Sequence, residues 1–205
     1  MPVQAQSIID RVRTQLIDTG SAQRWTDAEL LKWLSDGQRT LVAAMPEASS
    51  TISNASLVAG VRQTIPADGH VALRINRNAN GRSCNAVPRD LLNIQYPTWT
   101  TDAASATVKH FFIDEVDKRY FYVYPPNTGT GTVELVYSVM PADLASTTSL
   151  LTVRDIYQTP LFDYVMARAH QKDSDFAAGQ KTAEMYMQSF VAFLASNRTE
   201  PNRSA

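Results

Sequence analysis

Residues 124–133 read YPPNTGTGTV, and this is where glycines cluster as a phosphate-gripping loop would need them. Such a loop follows a strand, offers Gly-rich backbone amides, and enters a helix N-terminus carrying Lys and Ser or Thr. Here the glycines run into VELVYS, a β-type stretch, and no lysine is present. Pro125 and Pro126 suit a turn. The segment therefore reads as the tip of a β-hairpin. His70, His110 and His170 fall in three separate segments, so no pair has the helical spacing of a metal site. The carboxylates of Asp114–Asp117 lack the glycine and terminal glutamate of a calcium loop and read as a charged hairpin turn. No serine sits in a G-x-S-x-G elbow. Cys84 is the one cysteine, which excludes an internal disulfide and a cysteine-rich zinc site. The expectation is a non-enzyme with no catalytic residue, no metal and no cofactor.

Arginines offer the other chemistry. Arg74, Arg77, Arg82 and Arg89 lie within a short span rich in asparagine. A guanidinium fork binds phosphates, or pairs with acidic groups on a neighbouring chain. A solvated loop is the plain alternative, and a protein interface is the functional reading preferred over nucleic acid. Arg198 and Arg203 lie in the polar ending SNRTEPNRSA, which suits a segment that orders on a partner. Trp99, after Pro97, reads as an anchor of its loop to the core, with a partner as the alternative. Tyr120, Tyr122 and Tyr124 alternate on one face; they suit packing, with a sugar- or peptide-binding patch as the alternative.

Bulk composition narrows the partners. The 205 residues are 44% hydrophobic, enough for a real core, and carry 19 basic against 20 acidic side chains. A protein that lives by holding nucleic acid shows a basic excess; the net charge here is -1. The N-terminal MPVQAQSIIDR lacks the apolar core of a signal peptide. No apolar run approaches the roughly 20 residues that span a bilayer.

The elements that must position these residues fall into three blocks. Ile8, Ile9, Val12, Leu16 and Ile17 recur at helical spacing, with Gly20 as the stop. Thr26 and Glu29 form a capping-box pattern, followed by Leu30, Leu34, Leu41 and Met45 on one face with Gly37 in line, up to Pro46. From residue 49 the pattern turns β. Residues 51–58 and 61–65 read as strands joined at Ala59-Gly60, and 71–75 as a further apolar piece. Residues 108–113, 119–124 and 132–139 read as a β-meander with two hairpin connections. Helical spacing returns with Leu161, Tyr164, Val165 and Ala169, with Thr159 as cap and Pro160 as first helical residue. A turn at Lys172-Asp173 leads to a last long helix, whose buried stripe is marked by Phe176, Ala183, Met187, Phe190 and Leu194. The expected fold class is α+β: an antiparallel helical bundle from N- and C-terminal helices, with an inserted, projecting antiparallel β sub-domain. The expected division is 1–48 for the first helices, 49–150 for the β-rich part, 151–196 for the last helices, and 197–205 for a flexible tail.

Several stretches in this order resemble a known family: WTDAELLKWLSDGQRTLVAAMPEA, YPTW, HFFIDEVDKRYFYVYPP, VELVYSVMPADL and LFDYVMARAHQKDSDFAAGQKTAEMYMQSF. Together, from about residue 20 to 195, they are similar to the head-to-tail adaptors of tailed bacteriophages, of the short-tailed tail tubular protein A type. The resemblance implies a structural protein of the virion neck, assembled in the host cytoplasm. It implies a homo-oligomeric ring of about twelve copies that meets the portal protein and supports the nozzle or other tail proteins. DNA would pass through the channel without specific binding, and no membrane is involved. The alternatives are another tail component, such as a nozzle, completion or baseplate protein, and a sugar- or peptide-binding module.

Overall fold

The structure is a computed structural model that describes residues 3–20, 23–172 and 177–197. Arg198, Arg203, Phe176 and the expected turn residue Asp173 lie outside the described residues. The fold mixes helices and two sheets, an α+β arrangement. The chain divides into two compact units, Met1–Ser49 with Pro141–Ala205, and Ser50–Met140.

In the first unit, helix α1 spans Ala5–Gln15 and buries Ile8, Ile9 and Val12. It stops earlier than its apolar spacing predicts. Ile17 N donates to Thr14 O at 3.2 Å and Asp18 N donates to Arg13 O at 2.9 Å, a pair of bonds that closes the helix end. Ile17 takes φ 55°, and its side chain is 89% exposed, so it leaves the buried face. The cause is Asp18, which is drawn inward by Arg13 and by the backbone of Arg24 and turns the chain before Gly20 is reached.

Helix α2, Asp27–Ala44, begins on the expected capping box: Glu29 N donates to Thr26 Oγ1, and Thr26 N donates to the Glu29 carboxylate. Its buried face includes Leu30, Leu34, Gly37, Gln38 and Leu41. A Cβ on Gly37 would sit 2.9 Å from Tyr164 Cδ1, so glycine lets α2 approach α4, Gln158–Lys172. Pro160 falls in the first turn of α4 rather than at its first residue. The missing proline N–H costs nothing there, because those donors have no partner inside the helix. Helix α4 contacts α1, α2 and α5, Ala177–Ser196, and buries Leu161, Tyr164, Val165, Met166, Ala167 and Ala169. A helix with neighbours on several sides is apolar over most of its circumference.

Residues 141–152 are tied to these helices. Arg39 Nε donates to Pro141 O, and its guanidinium meets Asp143 at 2.9 Å. Leu144 N donates to Ser35 Oγ, Ala5 N to Ser149 O, and Thr152 N to the buried Gln38 Oε1.

The second unit holds two sheets. One has the order β1-β7-β3, with β1 Ser50–Ser56, β7 Thr132–Val139 and β3 Gly69–Asn78. The other has the order β2-β6-β5-β4, with β2 Ala59–Thr64, β6 Tyr120–Thr128, β5 His110–Ile113 and β4 Asn85–Ala86. Ala72, Ile75, Val133, Leu135 and Tyr137 of the first share one core with Phe111, Phe121 and Val123 of the second. This is the packing of a β-sandwich. The strand pairs are antiparallel except β4 with β5, which is parallel over two residues. The expected meander is half right: β5 and β6 form a hairpin, but β6 and β7 lie in different sheets, as do β1 and β2. The links at 57–58 and 129–131 therefore carry the chain between sheets. Alternating apolar residues mark a half-buried strand equally well in either case, so the pattern cannot distinguish them. Helix α3, Arg89–Gln95, brings Leu92 and, beyond it, Trp99 onto Tyr124, Phe112 and Tyr122 of the second sheet.

Candidate interaction surfaces

The glycine-rich segment is built as a structural turn. Asn127 Oδ1 accepts from Gly129 N at 2.8 Å and from Gly131 N at 3.1 Å, while its Nδ2 donates to Ser105 O. Gly129 has φ 89°, and a Cβ on Gly131 would lie 2.5 Å from Ala106 O. The amides a phosphate would need are already spent on Asn127, and a strand follows.

The other chemical candidates are likewise committed to structure. Asp114 Oδ1 accepts from Val116 N and Asp117 N, and Asp117 accepts from both the backbone and the guanidinium of Arg119. Those bonds to Arg119 hold the Asp117 carboxyl below its ordinary range. Among the described residues no group of three or more His, Cys, Asp or Glu is placed to hold a metal. His110 stacks on Tyr124 with ring centroids 6.0 Å apart, and His170 stacks on Tyr186 at 5.9 Å. Cys84 is buried, and burial pushes its thiol upward, away from the reactive thiolate.

The tyrosines do not form an open patch. Tyr122 stacks on Phe112 at 4.9 Å, and Trp99 meets both rings edge-on. Tyr124 is buried, and its hydroxyl donates to Asp102; burial first, then that carboxylate, raises its pKa. Trp99 donates Nε1–H to Asn93 and is buried on the sheet.

All four arginines of the 74–89 span are exposed, spread over a strand, a loop and a helix. Arg74 and Arg77 stand on β3, Arg82 lies in the loop that follows it, and Arg89 opens α3. Arg77 pairs with Glu134 on the neighbouring strand at 3.1 Å, where Asn76 also donates to the same carboxylate. The hydrogen bonds from Asn76 and then Arg77 keep Glu134 below its ordinary range. The structure thus places Arg74 and Arg77 on one strand, Arg82 in the loop after it and Arg89 at the start of α3.

One apolar surface feature was not singled out in the sequence. Along α5 a groove of about 420 Å³ is lined by Glu184, Met187, Gln188, Val191, Ala192 and Ala195. Val191 is 54% exposed and Met185 is 63% exposed. Helix α5 packs on α4 and buries Ala183 and Phe190, with Tyr186, Met187, Phe193 and Leu194 partly buried against the same core, which leaves Val191, Ala192 and Ala195 exposed among the described residues. The signal was present in the sequence: a 20-residue helix with Val191 and Ala195 one turn apart beside the buried stripe has more apolar surface than one neighbour can cover.

No helix among the described residues is long and apolar enough to cross a membrane. The comparison with curated proteins gives no match. A family model described as SU10 adaptor protein matches residues 3–205.

Proposed function

The chain belongs to the SU10 adaptor protein family, phage head-to-tail adaptors, and on that premise we propose that it assembles into a ring beneath the portal protein. The ring has about twelve copies, continues the DNA channel and supports the nozzle or other tail proteins. It is a structural component of the virion and performs no catalysis.

The observation that carries this reading is the open apolar stripe on α5. A cyclic ring needs a heterologous interface, in which two different patches of each subunit meet. Apolar surface left uncovered along this helix, with Val191 at its centre, is the kind of patch that such an interface buries. The helices form the ring-building part. Arg74, Arg82 and Arg89 serve as rim contacts for acidic groups of neighbouring proteins, alongside Arg77, whose charge is already shared with Glu134. Arg198 and Arg203 meet the portal.

The test is electron microscopy of the protein mixed with its portal protein, run beside a Val191→Asp variant. A ring on the portal with the natural chain, lost in the variant while its thermal unfolding stays unchanged, supports the reading. A natural chain that leaves the portal bare overturns it.

A further inference from the structure

We propose that strand β1 is a docking edge, completed in the assembled particle by an extended segment of a different particle protein. The inference rests on the ring reading above and adds a site and a mode of binding to it.

The unpaired backbone groups can be identified. Strand β1 pairs with β7 in unbroken register from Ser50 opposite Ser138 to Ser56 opposite Thr132. Immediately beyond, Leu57 N donates to Gly131 O at 2.9 Å. In an antiparallel ladder hydrogen-bonded and non-bonded pairs alternate. Thr51, Ser53 and Ala55 therefore turn their N–H and C=O toward β7. The opposite side of β7 agrees, since Thr132 O accepts from Ala79 N, next to β3. Ser50, Ile52, Asn54 and Ser56 then aim their backbone groups at the open side of β1, which ends the sheet.

Open edges invite a further strand, and proteins blunt them with charge, bulges, proline or brevity. The other three edges of this unit are blunted. Strand β3 has three register shifts, carries Arg74 and Arg77, and meets Ser83 of its own loop. Strand β2 has a register shift beside Arg62. Strand β4 is two residues long. Strand β1, with the sequence STISNAS, has no charge, no proline and no register shift over seven residues. Its Ile52 is 61% exposed and stands beside Val136.

These features define the occupant. Its backbone must be extended, with free N–H and C=O groups at alternate residues, about 4.8 Å from β1. An apolar side chain falls beside Ile52 and a neutral polar one beside Asn54. Among the described residues a second copy offers no suitable edge except its own β1, and pairing β1 with β1 is an isologous contact, whereas neighbours in a cyclic ring meet through a heterologous one.

Hydrogen–deuterium exchange on the free protein and on purified phage particles tests this. In the free protein the amides of Ile52, Asn54 and Ser56 exchange fast, whereas those of Thr51, Ser53 and Ala55 are slow. In the particle the first three slow by about tenfold or more. A photo-cross-linker on Asn54→Cys, the accessible thiol because Cys84 is buried, is expected to yield an adduct with another particle protein. Edge amides that stay fast in particles containing the chain overturn this inference and leave the ring reading standing. An adduct with the same polypeptide overturns the choice of occupant. A chain absent from the particles removes the ring reading and this inference with it.

Discussion

Arg13 and Asp18 form an ion pair at 2.9 Å with both side chains almost wholly out of water. Arg13 also donates to Trp25 O at 3.0 Å and meets Asp27, and Asp18 accepts from Arg24 N at 2.7 Å. One guanidinium thus ties the end of α1 to the start of α2. Truncating one member of a buried, hydrogen-bonded pair leaves the other charge without compensation, at a cost of about 3–5 kcal/mol. Arg13→Met is expected to lose stability in that range in urea unfolding, because Asp18 stays buried without its cation. A loss below about 1 kcal/mol would mean that water reaches Asp18 and screens it as it does a surface pair.

The same network holds Ile17 in a left-handed conformation that a β-branched residue rarely adopts. That conformation costs an L-residue about 1–2 kcal/mol, and glycine avoids the cost. The side chain is exposed, so little packing is lost on its removal. Ile17→Gly is therefore expected to stabilise the isolated protein by roughly 1 kcal/mol, read as a shift of the urea midpoint at unchanged slope. Destabilisation would show that Ile17 makes apolar contacts that its exposure conceals.

Two glycines are required for lack of space. At Gly37 a side chain would drive into Tyr164 between α2 and α4, and at Gly131 into Asn127 and Ala106 O. Gly37→Val is expected to cost about 1–3 kcal/mol by overpacking, and Gly131→Ala at least as much, because the obstructing atom at Ala106 is backbone. Thermal unfolding of each variant measures this. If Gly131→Ala leaves the transition unchanged, the Asn127-centred turn is not as tightly built as its hydrogen bonds state.

These positions show what was legible in the sequence. The capping box at Thr26 and Glu29 and the α4 stripe could be read directly, because each depends on residues close together in the chain. Strand β3 could not be read at full length. Ala72, Ile75 and Asn78 are buried at intervals of three, since bulges insert Leu73 and Asn76, and neither strand nor helix periodicity matches that spacing. Sheet membership of β1, β2, β6 and β7 was hidden for another reason: a turn that closes a hairpin and a turn that crosses a sandwich use the same Gly, Asn and Pro chemistry. The α5 groove was overlooked because a second apolar stripe beside a buried one reads as core.

Glu134 gives the expected acid dependence its sign. Hydrogen bonds from Asn76 and Arg77 depress its folded-state pKa below the ordinary 4.5. A depressed carboxylate contributes stability that is present above 4.5 and is lost as the pH falls through the lower folded value. Asp117, held low by Arg119, acts in the same direction from 3.8 downward. Stability is expected to decline on acidification below these values, and Glu134→Gln should flatten the upper part of that decline. Urea midpoints measured from about pH 6 to about pH 3 check this, a window that brackets the ordinary carboxylate range; a Glu134→Gln profile with the natural slope refutes the assignment.

A ring through which DNA slides should not hold it. Each phosphate neutralised by a Lys or Arg adds an affinity term that falls with salt at a slope of about -0.9. With a net charge of -1, the chain has no basic excess to make many such contacts. For the proposed ring we expect a neutral or acidic lumen, and the portal-bound assembly to show duplex DNA affinity with a shallow salt dependence, corresponding to few phosphate contacts per subunit. Fluorescence anisotropy of a labelled duplex across a salt series gives the slope. A steep slope, corresponding to many neutralised phosphates, would place a basic surface in the channel and make the ring a clamp on the genome instead of a passage for it.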